Sequence, residues 1–383
     1  MLQLSGEFIV LLRILQHKVD IMRVDGSETH TLFSGSPLCE SPDGLCLDLN
    51  QFVKTKEKKD IVAWWTNMGL PTKVDGEWDY HQPNASLVKG QLFTGKGETV
   101  KLVAPKHLKG FERNAIPPAQ CAPGKAAGPI VTTLKQAAIT ADGSQVFFCD
   151  REGHGVKKYN TKTGELVPLL HADDIVGKPS GEVKPNTKED FDRFCVGITL
   201  DETHNRIFTT LKGATHGGCG RLVSFPYEFS TNNLPEATPG AEGTVDPARI
   251  QILREGLPEP VDVLLDERES ILYWTDRGDK KEKGGNTLNR ASVRYYDDGT
   301  VSLGETEILF DGFLDAIGVT WAAEDDAVNP PATDAEAAER RRYLYVSDVG
   351  GEIFKCDLQQ RTKECIRPPH DNDGVTGIRY LKL

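Results

Sequence analysis

Short apolar runs alternate along the chain with charged or glycine-bearing turns. Ile271-Leu-Tyr-Trp-Thr-Asp276 is apolar and aromatic and ends in Arg277-Gly278. Across the charged turn Glu267–Ser270 it is preceded by a second run, Pro260-Val-Asp-Val-Leu-Leu-Asp266. Runs of this length, bounded by turn residues, predict β-strands, and two of them joined by a short turn predict a hairpin. The pair recurs as Asp43–Asp48 with Ile61–Asn67, Gln136–Asp142 with Val146–Asp150, Cys195–Asp201 with Arg206–Leu211, and Ala316–Trp321 with Tyr343–Asp348. A sixth first strand, Gly374–Tyr380, has no partner after it.

Phe8–Leu15, Val19–Val24 and Thr29–Phe33 supply the missing strands from the other end of the chain. One C-terminal strand plus three N-terminal strands completes a four-stranded blade. Small antiparallel sheets repeated at this spacing predict a β-propeller. The expected fold is therefore all-β, a six-bladed β-propeller filling residues 1–383 as one domain, closed by pairing the N-terminal strands with the C-terminal strand. Closure removes the edges that an open sheet would expose to aggregation.

Tyr273-Trp-Thr-Asp276 matches the YWTD signature of six-bladed propellers. Asp150–Gly153, Cys195–Gly197, Leu257–Pro260, Thr275–Gly278, Asn286–Ala291 and Gly374–Ile378 also resemble a stand-alone fungal and bacterial branch of that family. Within the branch, the functional parallel is with the fungal hetero-Diels–Alderases that join tropolone and sesquiterpene units. The resemblance spans nearly the whole chain, but its motifs mark the scaffold rather than one reaction.

Composition narrows the partners. The chain is 38% hydrophobic and 27% charged, enough apolar residue for a sizeable core, and its net charge of −12 disfavours nucleic acid. The cluster Lys54–Lys59 reads as a solvated connection inside the first hairpin. Phe8–Leu15 is interrupted by Arg13 and preceded by Glu7, unlike a secretory segment, and no run reaches the roughly 20 apolar residues of a membrane span. Eight cysteines leave the compartment open between cytoplasm and secretory route. Cys356 and Cys365 flank Gln359–Thr362 symmetrically, so a hairpin centred there predicts a disulfide, and a sequon stands at Asn84-Ala-Ser86. No Cys or His spacing matches a zinc site.

Regular repetition breaks at Pro105–Thr132, which is rich in Pro, Gly and Ala, and at Gly177–Asp192, Tyr227–Asp246 and Ala322–Arg341. Loops this long are usually functional or mobile. The Ala/Glu-rich stretch Ala335–Arg342 predicts a helical turn.

Topology locates a site. In an antiparallel meander the start of a blade's innermost strand and the end of its second strand share one face of the disc. That mouth gathers Asn67, Met68, Arg151, Glu152 and His154 from the first two blades. It adds Phe194, Lys212 and His216 from the third, Glu259 and Arg277 from the fourth, and His370 ahead of the last. Asp150, Asp276 and Asp348 are expected to hydrogen-bond the backbone of a neighbouring blade, and Trp64, Trp65, Tyr273 and Trp274 to fill the core between blades. The loop Gly213-Ala-Thr-His-Gly-Gly-Cys-Gly220 lets backbone approach a ligand and presents one titratable ring.

The hetero-Diels–Alderase resemblance implies an enzyme that needs no cofactor and takes hydrophobic small-molecule substrates. A hydroxymethyl-tropolone loses water to an o-quinone methide, which adds across a humulene-type alkene to give a dihydropyran. Lys212, His216, Arg151 and Arg277 are then the catalytic donors, and Asn67, Met68, Glu152, His154, Phe194, Glu259 and His370 the substrate-binding residues. Two other classes remain open: a lactonase-like metal hydrolase using channel carboxylates, and a YWTD-type protein-binding module.

Overall fold

The structure is a computed structural model that describes residues 4–74, 77–79, 84–103, 131–181, 183–228, 245–278, 285–326, 328–369 and 373–383. Most of the loop at 105–132, part of that at 227–246, and His370 lie outside the described residues.

Six antiparallel blades are formed, with a separate two-stranded ribbon of Thr72–Val74 and Glu77–Asp79 beside the first. Their innermost and second strands are Pro42–Asp48 and Val62–Asn67 in the first blade, and Leu134–Ile139 and Gln145–Asp150 in the second. Cys195–Asp201 and Arg206–Leu211 follow in the third, Pro260–Asp266 and Ile271–Asp276 in the fourth, and Ala316–Trp321 and Tyr343–Asp348 in the fifth. The sixth is built from both chain ends, Val375–Lys382 pairing with Glu7–Arg13, then Lys18–Arg23 and Thr29–Ser34. The third strand of the fourth blade, Thr287–Tyr295, pairs in succession with two short outer strands, Val301–Leu303 and Glu307–Phe310.

Both faces of each blade are covered by neighbours, which explains why the strands are apolar at consecutive positions. Trp65 packs with the closing blade's Phe8, Val10 and Leu12, while Trp64 packs with Phe148 and Tyr159 of the second blade. Phe147 turns to the third blade, Phe208 and Trp274 share the next core, and Tyr273 meets Trp321 one blade on. Tyr345, Ile9, Leu11 and Ile378 form the sixth. Each such fully buried side chain contributes about 1.5–3 kcal/mol of hydrophobic stabilisation.

One detail repeats in every blade: the innermost strand carries one residue more than its partner strand at the same level, a β-bulge. The bulge brings the next blade's backbone close. A Cβ at Gly44 would stand 2.2 Å from the Lys135 carbonyl, and one at Gly197 2.1 Å from that of Val261, so only glycine fits there. The Thr of the YWTD pattern staples this junction. The Thr275 hydroxyl accepts from the Asp262 N–H at 3.0 Å and donates to the Ile317 carbonyl of the next blade at 2.6 Å. Thr66 does the same with Gly44 and Lys135, both at 2.8 Å, and Thr210 with Gly197 and Val261 at 2.7 and 2.8 Å.

The terminal Asp residues hold something else than expected. Asp276 accepts from the Glu259 N–H at 2.6 Å, Asp150 from Thr133 at 2.8 Å and Asp348 from Leu314 at 3.1 Å. Each donor lies just before the innermost strand of the same blade, because the end of a second strand sits beside the start of the first. The neighbouring blade is left to the Thr.

Two further expectations are resolved. Asp334–Arg340 is a helix whose cap, the Thr333 hydroxyl, accepts from the Glu336 N–H at 3.1 Å. The disulfide is not formed: Arg361 takes a left-handed φ of 57°, the turn closes as Asp357 opposite Thr362, and Cys356 faces Lys363 while Cys365 faces Phe354. Both cysteines are free thiols. Among the described residues no helix is long and apolar enough to cross a membrane.

Candidate functional site

At the upper mouth the backbone repeats one bond in all six blades. The N–H after each second strand donates to the carbonyl two residues ahead of the pairing innermost strand's bulge: Met68 to Ser41, Arg151 to Thr133, Lys212 to Phe194, Arg277 to Glu259, Val349 to Asp315 and Ile14 to Gly374, all at 2.9–3.2 Å. Six equivalent positions therefore carry different side chains. The second, third and fourth blades present Arg151, Lys212 and Arg277. The others present Met68, Val349 and Ile14, and the exposed Leu314, Leu15 and Leu70 lie in the same connections. The equivalent position is thus cationic in three neighbouring blades and apolar in the other three.

Glu259, fully buried, organises the cationic side. Its carboxylate lies 2.7 Å from Lys212 Nζ and 3.4 Å from Arg277 Nη1, and accepts the His216 backbone N–H at 3.1 Å. Arg277 also reaches Asp315 at 3.0 Å, and the His216 ring stands 3.7 Å from Asp315. Burial lowers Lys212 to about 8; Glu259 opposes that shift, while the Arg151 and Arg277 cations add to it.

Arg151 and Lys212 meet at Phe194. The Arg151 guanidinium carbon is 5.3 Å from the ring centroid and Lys212 Nζ 5.9 Å, within cation–π range for both. Arg151 Nε donates to Glu152 at 2.6 Å, and the other Glu152 oxygen is buried with no hydrogen-bond partner. His154 contacts Asp190 at 2.7 Å, its ring 6.2 Å from Phe194. Arg151 and Lys212 thus share the Phe194 ring, each held by its own carboxylate, Glu152 and Glu259.

The structure thus brings Lys212, His216, Arg277 and Glu259 into one cluster and Arg151, Glu152, His154 and Phe194 into a second beside it. Met68 is apart, its sulfur 3.0 Å from Lys135 Nζ in the buried Lys135–Asp43 pair. Asn67 is structural: its side chain accepts from the Glu40 N–H and donates to the Leu38 carbonyl and the Ser86 hydroxyl, all at 3.1 Å. His370 lies outside the described residues.

Sequence reading missed the opposite mouth. There the ends of the six innermost strands enclose a cavity of about 560 Å³. Beneath it Arg379 bridges three blades, donating to the carbonyls of Ile378 at 2.8 Å, Ala137 at 3.2 Å and Val319 at 3.5 Å, with Glu324 at 3.3 Å. The one available signal was a charged residue, Arg379, inside the apolar strand Val375–Lys382.

Among the described residues no three His, Cys, Asp or Glu side chains are placed to hold a metal ion. Glu259 is taken up by two cations instead.

No family model matches the chain. It is 25% identical over 344 residues to the Low-density lipoprotein receptor-related protein 1 of Pyricularia oryzae, covering 90% of this chain and 86% of that one. It is 29% identical over 356 residues to the 3-hydroxyacyl-CoA dehydrogenase-like protein LAM1 of Cochliobolus heterostrophus, covering 91% of this chain but 57% of the relative's length. A chain of the nidogen/laminin complex superposes with a TM-score of 0.56 at 14% identity, covering 98% of both. This is a six-bladed propeller with fungal relatives. Its likeness to the nidogen/laminin chain extends to the fold alone.

Proposed function

We propose that the upper mouth is the active site of a small-molecule enzyme that joins an oxygenated partner to a hydrocarbon one. The observation that carries this reading is the convergence of Arg151 and Lys212 on Phe194, across the mouth from the apolar Ile14 and the exposed Val349. Donors fixed before the reaction stabilise charge that develops on an oxygen better than water does. Holding two reactants face to face removes several kcal/mol of barrier.

The reaction we propose is the one that the resemblance to hetero-Diels–Alderases implies. A hydroxymethyl-tropolone loses water, its C–O bond breaking, to give an o-quinone methide. Its four π-electrons combine with two from a humulene-type alkene, forming one C–C and one C–O bond with no change in redox state, so no cofactor is called for. Arg151 and Lys212 polarise the enone oxygen, and the Glu152 carboxylate takes the ring hydroxyl proton and hands it to the departing hydroxymethyl oxygen, which leaves as water.

The test is to incubate the purified protein with both substrates and follow, by mass, a product equal to their sum less one water. Rate above the protein-free background that falls at least tenfold in Arg151→Ala supports the reading; product formation equal to background overturns it. A protein-docking role is the second reading, favoured by the exposed Leu15, Leu70, Leu314 and Val349. The metal-hydrolase alternative is disfavoured by the engagement of Glu259 with Lys212 and Arg277.

A further inference from the structure

The cavity at the opposite mouth is walled by one residue near the end of each innermost strand: Leu47, Ile139, Leu200, Leu265, Trp321 and Tyr380. Its volume of about 560 Å³ is that of a small-molecule pocket, and its wall is mixed, with these apolar side chains interleaved with charged ones. It is separate from the upper mouth. Arg379 spans the channel beneath it, bonded to carbonyls of the second, fifth and closing blades. Beyond Arg379 the strand starts fill the channel with the buried Val196, Val261 and Ile317 and the Lys135–Asp43 pair.

The charges on the lining decide the sign of what it takes. Three arginines are present and all are engaged. Arg379 is paired with Glu324, Arg341 with Asp266 and Asp326, and Arg268 with Asp334. Two lining carboxylates, Glu202 and Glu267, have no cationic partner among the described residues. Glu202 accepts the Ala141 N–H at 2.5 Å, and Glu267 accepts from the Thr203 hydroxyl at 2.5 Å and from the N–H groups of Glu202 and Thr203 at 3.4 and 3.3 Å. Burial raises the pKa of both, and neighbouring acids push the same way: Glu267 and Asp142 on Glu202, Asp201 on Glu267. The adjoining side chains add negative charge rather than relieve it.

We propose that this second mouth binds a small organic cation, a protonated amine on an apolar body. The ammonium sits at Glu202 and Glu267 between the third and fourth blades, and the body lies against Leu200, Leu265 and Trp321. An ammonium supplies the positive charge that both carboxylates lack, and the hydrocarbon displaces water from the apolar part of the wall.

Isothermal titration with hexylamine hydrochloride at pH 7.5, beside hexanol and hexanoate, tests this. Hexylamine is expected to bind saturably, at least tenfold tighter than hexanol, with hexanoate weakest. In the Glu202→Gln, Glu267→Gln double variant that preference is expected to vanish. The amide oxygens can keep accepting the same backbone N–H groups; if the pair together fails to fold, each single variant is expected to lose part of the preference. Arg151→Ala at the other mouth is expected to leave amine binding unchanged. Hexanol binding as tightly as hexylamine, an undiminished preference in the Gln variants, or no binding by any of the three overturns the proposal.

Discussion

Lys212 Nζ lies 2.7 Å from the Glu259 carboxylate, and both side chains are buried. Replacing Lys212 with Met leaves Glu259 with Arg277 alone, at 3.4 Å. Breaking a buried pair by removing one partner costs about 3–5 kcal/mol; because Arg277 remains, a loss of about 2–3 kcal/mol is expected in urea unfolding. His216→Ala, whose ring is 41% exposed, is expected to unfold within about 0.5 kcal/mol of the parent.

Lys212 titrates at about 8, down from 10.5. Above pH 8 the folded chain has released this proton while the unfolded chain still binds it, so this group makes stability rise between pH 8 and 10.5. The donor charge at the mouth is lost over the same range. Product formation is expected to decline through pH 8 as the fold strengthens, and a rate–pH profile that stays flat to pH 9.5 would exclude Lys212 as a charged donor.

Burial, reinforced by Glu259, pushes Asp276 up to about 8 from 3.8. The folded chain keeps this proton between pH 4 and 8 while the unfolded chain releases it, so the group makes stability fall as pH rises through that window. The first blade already carries an amide, Asn67, at the equivalent position. Asp276→Asn is therefore expected to melt close to the parent at pH 6 and to gain on it toward pH 8. Asp150→Asn, which removes the carboxylate charge 2.6 Å from the buried Lys157, is expected to destabilise by about 3 kcal/mol. Equal melting losses in both variants would contradict this account.

Thr275→Val keeps the shape of the side chain but removes the hydroxyl that joins Asp262 to Ile317. Two buried backbone groups lose their partner, at about 1–3 kcal/mol each, and denaturant titration is expected to show a loss of about 2–4 kcal/mol. Thr275→Ser, which retains both bonds, is expected to lose about 1 kcal/mol or less.

Cys365 is exposed, whereas burial pushes the Cys356 thiol up to about 12. Iodoacetamide applied to the native protein, followed by peptide mass mapping, is expected to label Cys365 and spare Cys356 without prior reduction. Protection of both until a reductant is added would restore the disulfide.

The sequence revealed the parts that one strand determines alone. Tyr273 and Trp274 are both apolar because each strand is covered on both faces, and Arg151, Lys212 and Arg277 stand out because each follows the last residue of its strand. Relations between segments were harder to read. The Cys356–Cys365 pairing failed because one left-handed residue, Arg361, recentred the turn, and no local pattern marks such a shift. The partner of Asp276 was misassigned because strand polarity, not side-chain type, decides which backbone lies beside it. The second cavity was invisible because its wall takes one residue from each of six distant strands.

The pairing of Glu7–Arg13 with Val375–Lys382 also sets an order of events. A ribosome delivers the three N-terminal strands of the closing blade first and their fourth strand last. Until then, the inner edge of Glu7–Arg13 displays unpaired N–H and carbonyl groups, a template for any passing strand. Its apolar Phe8-Ile-Val-Leu-Leu12 core lacks the cover that Ile378 and Leu381 later bring. The nascent chain is thus most prone to aggregation through Glu7–Arg13, and that hazard ends only when Val375–Lys382 pairs with it.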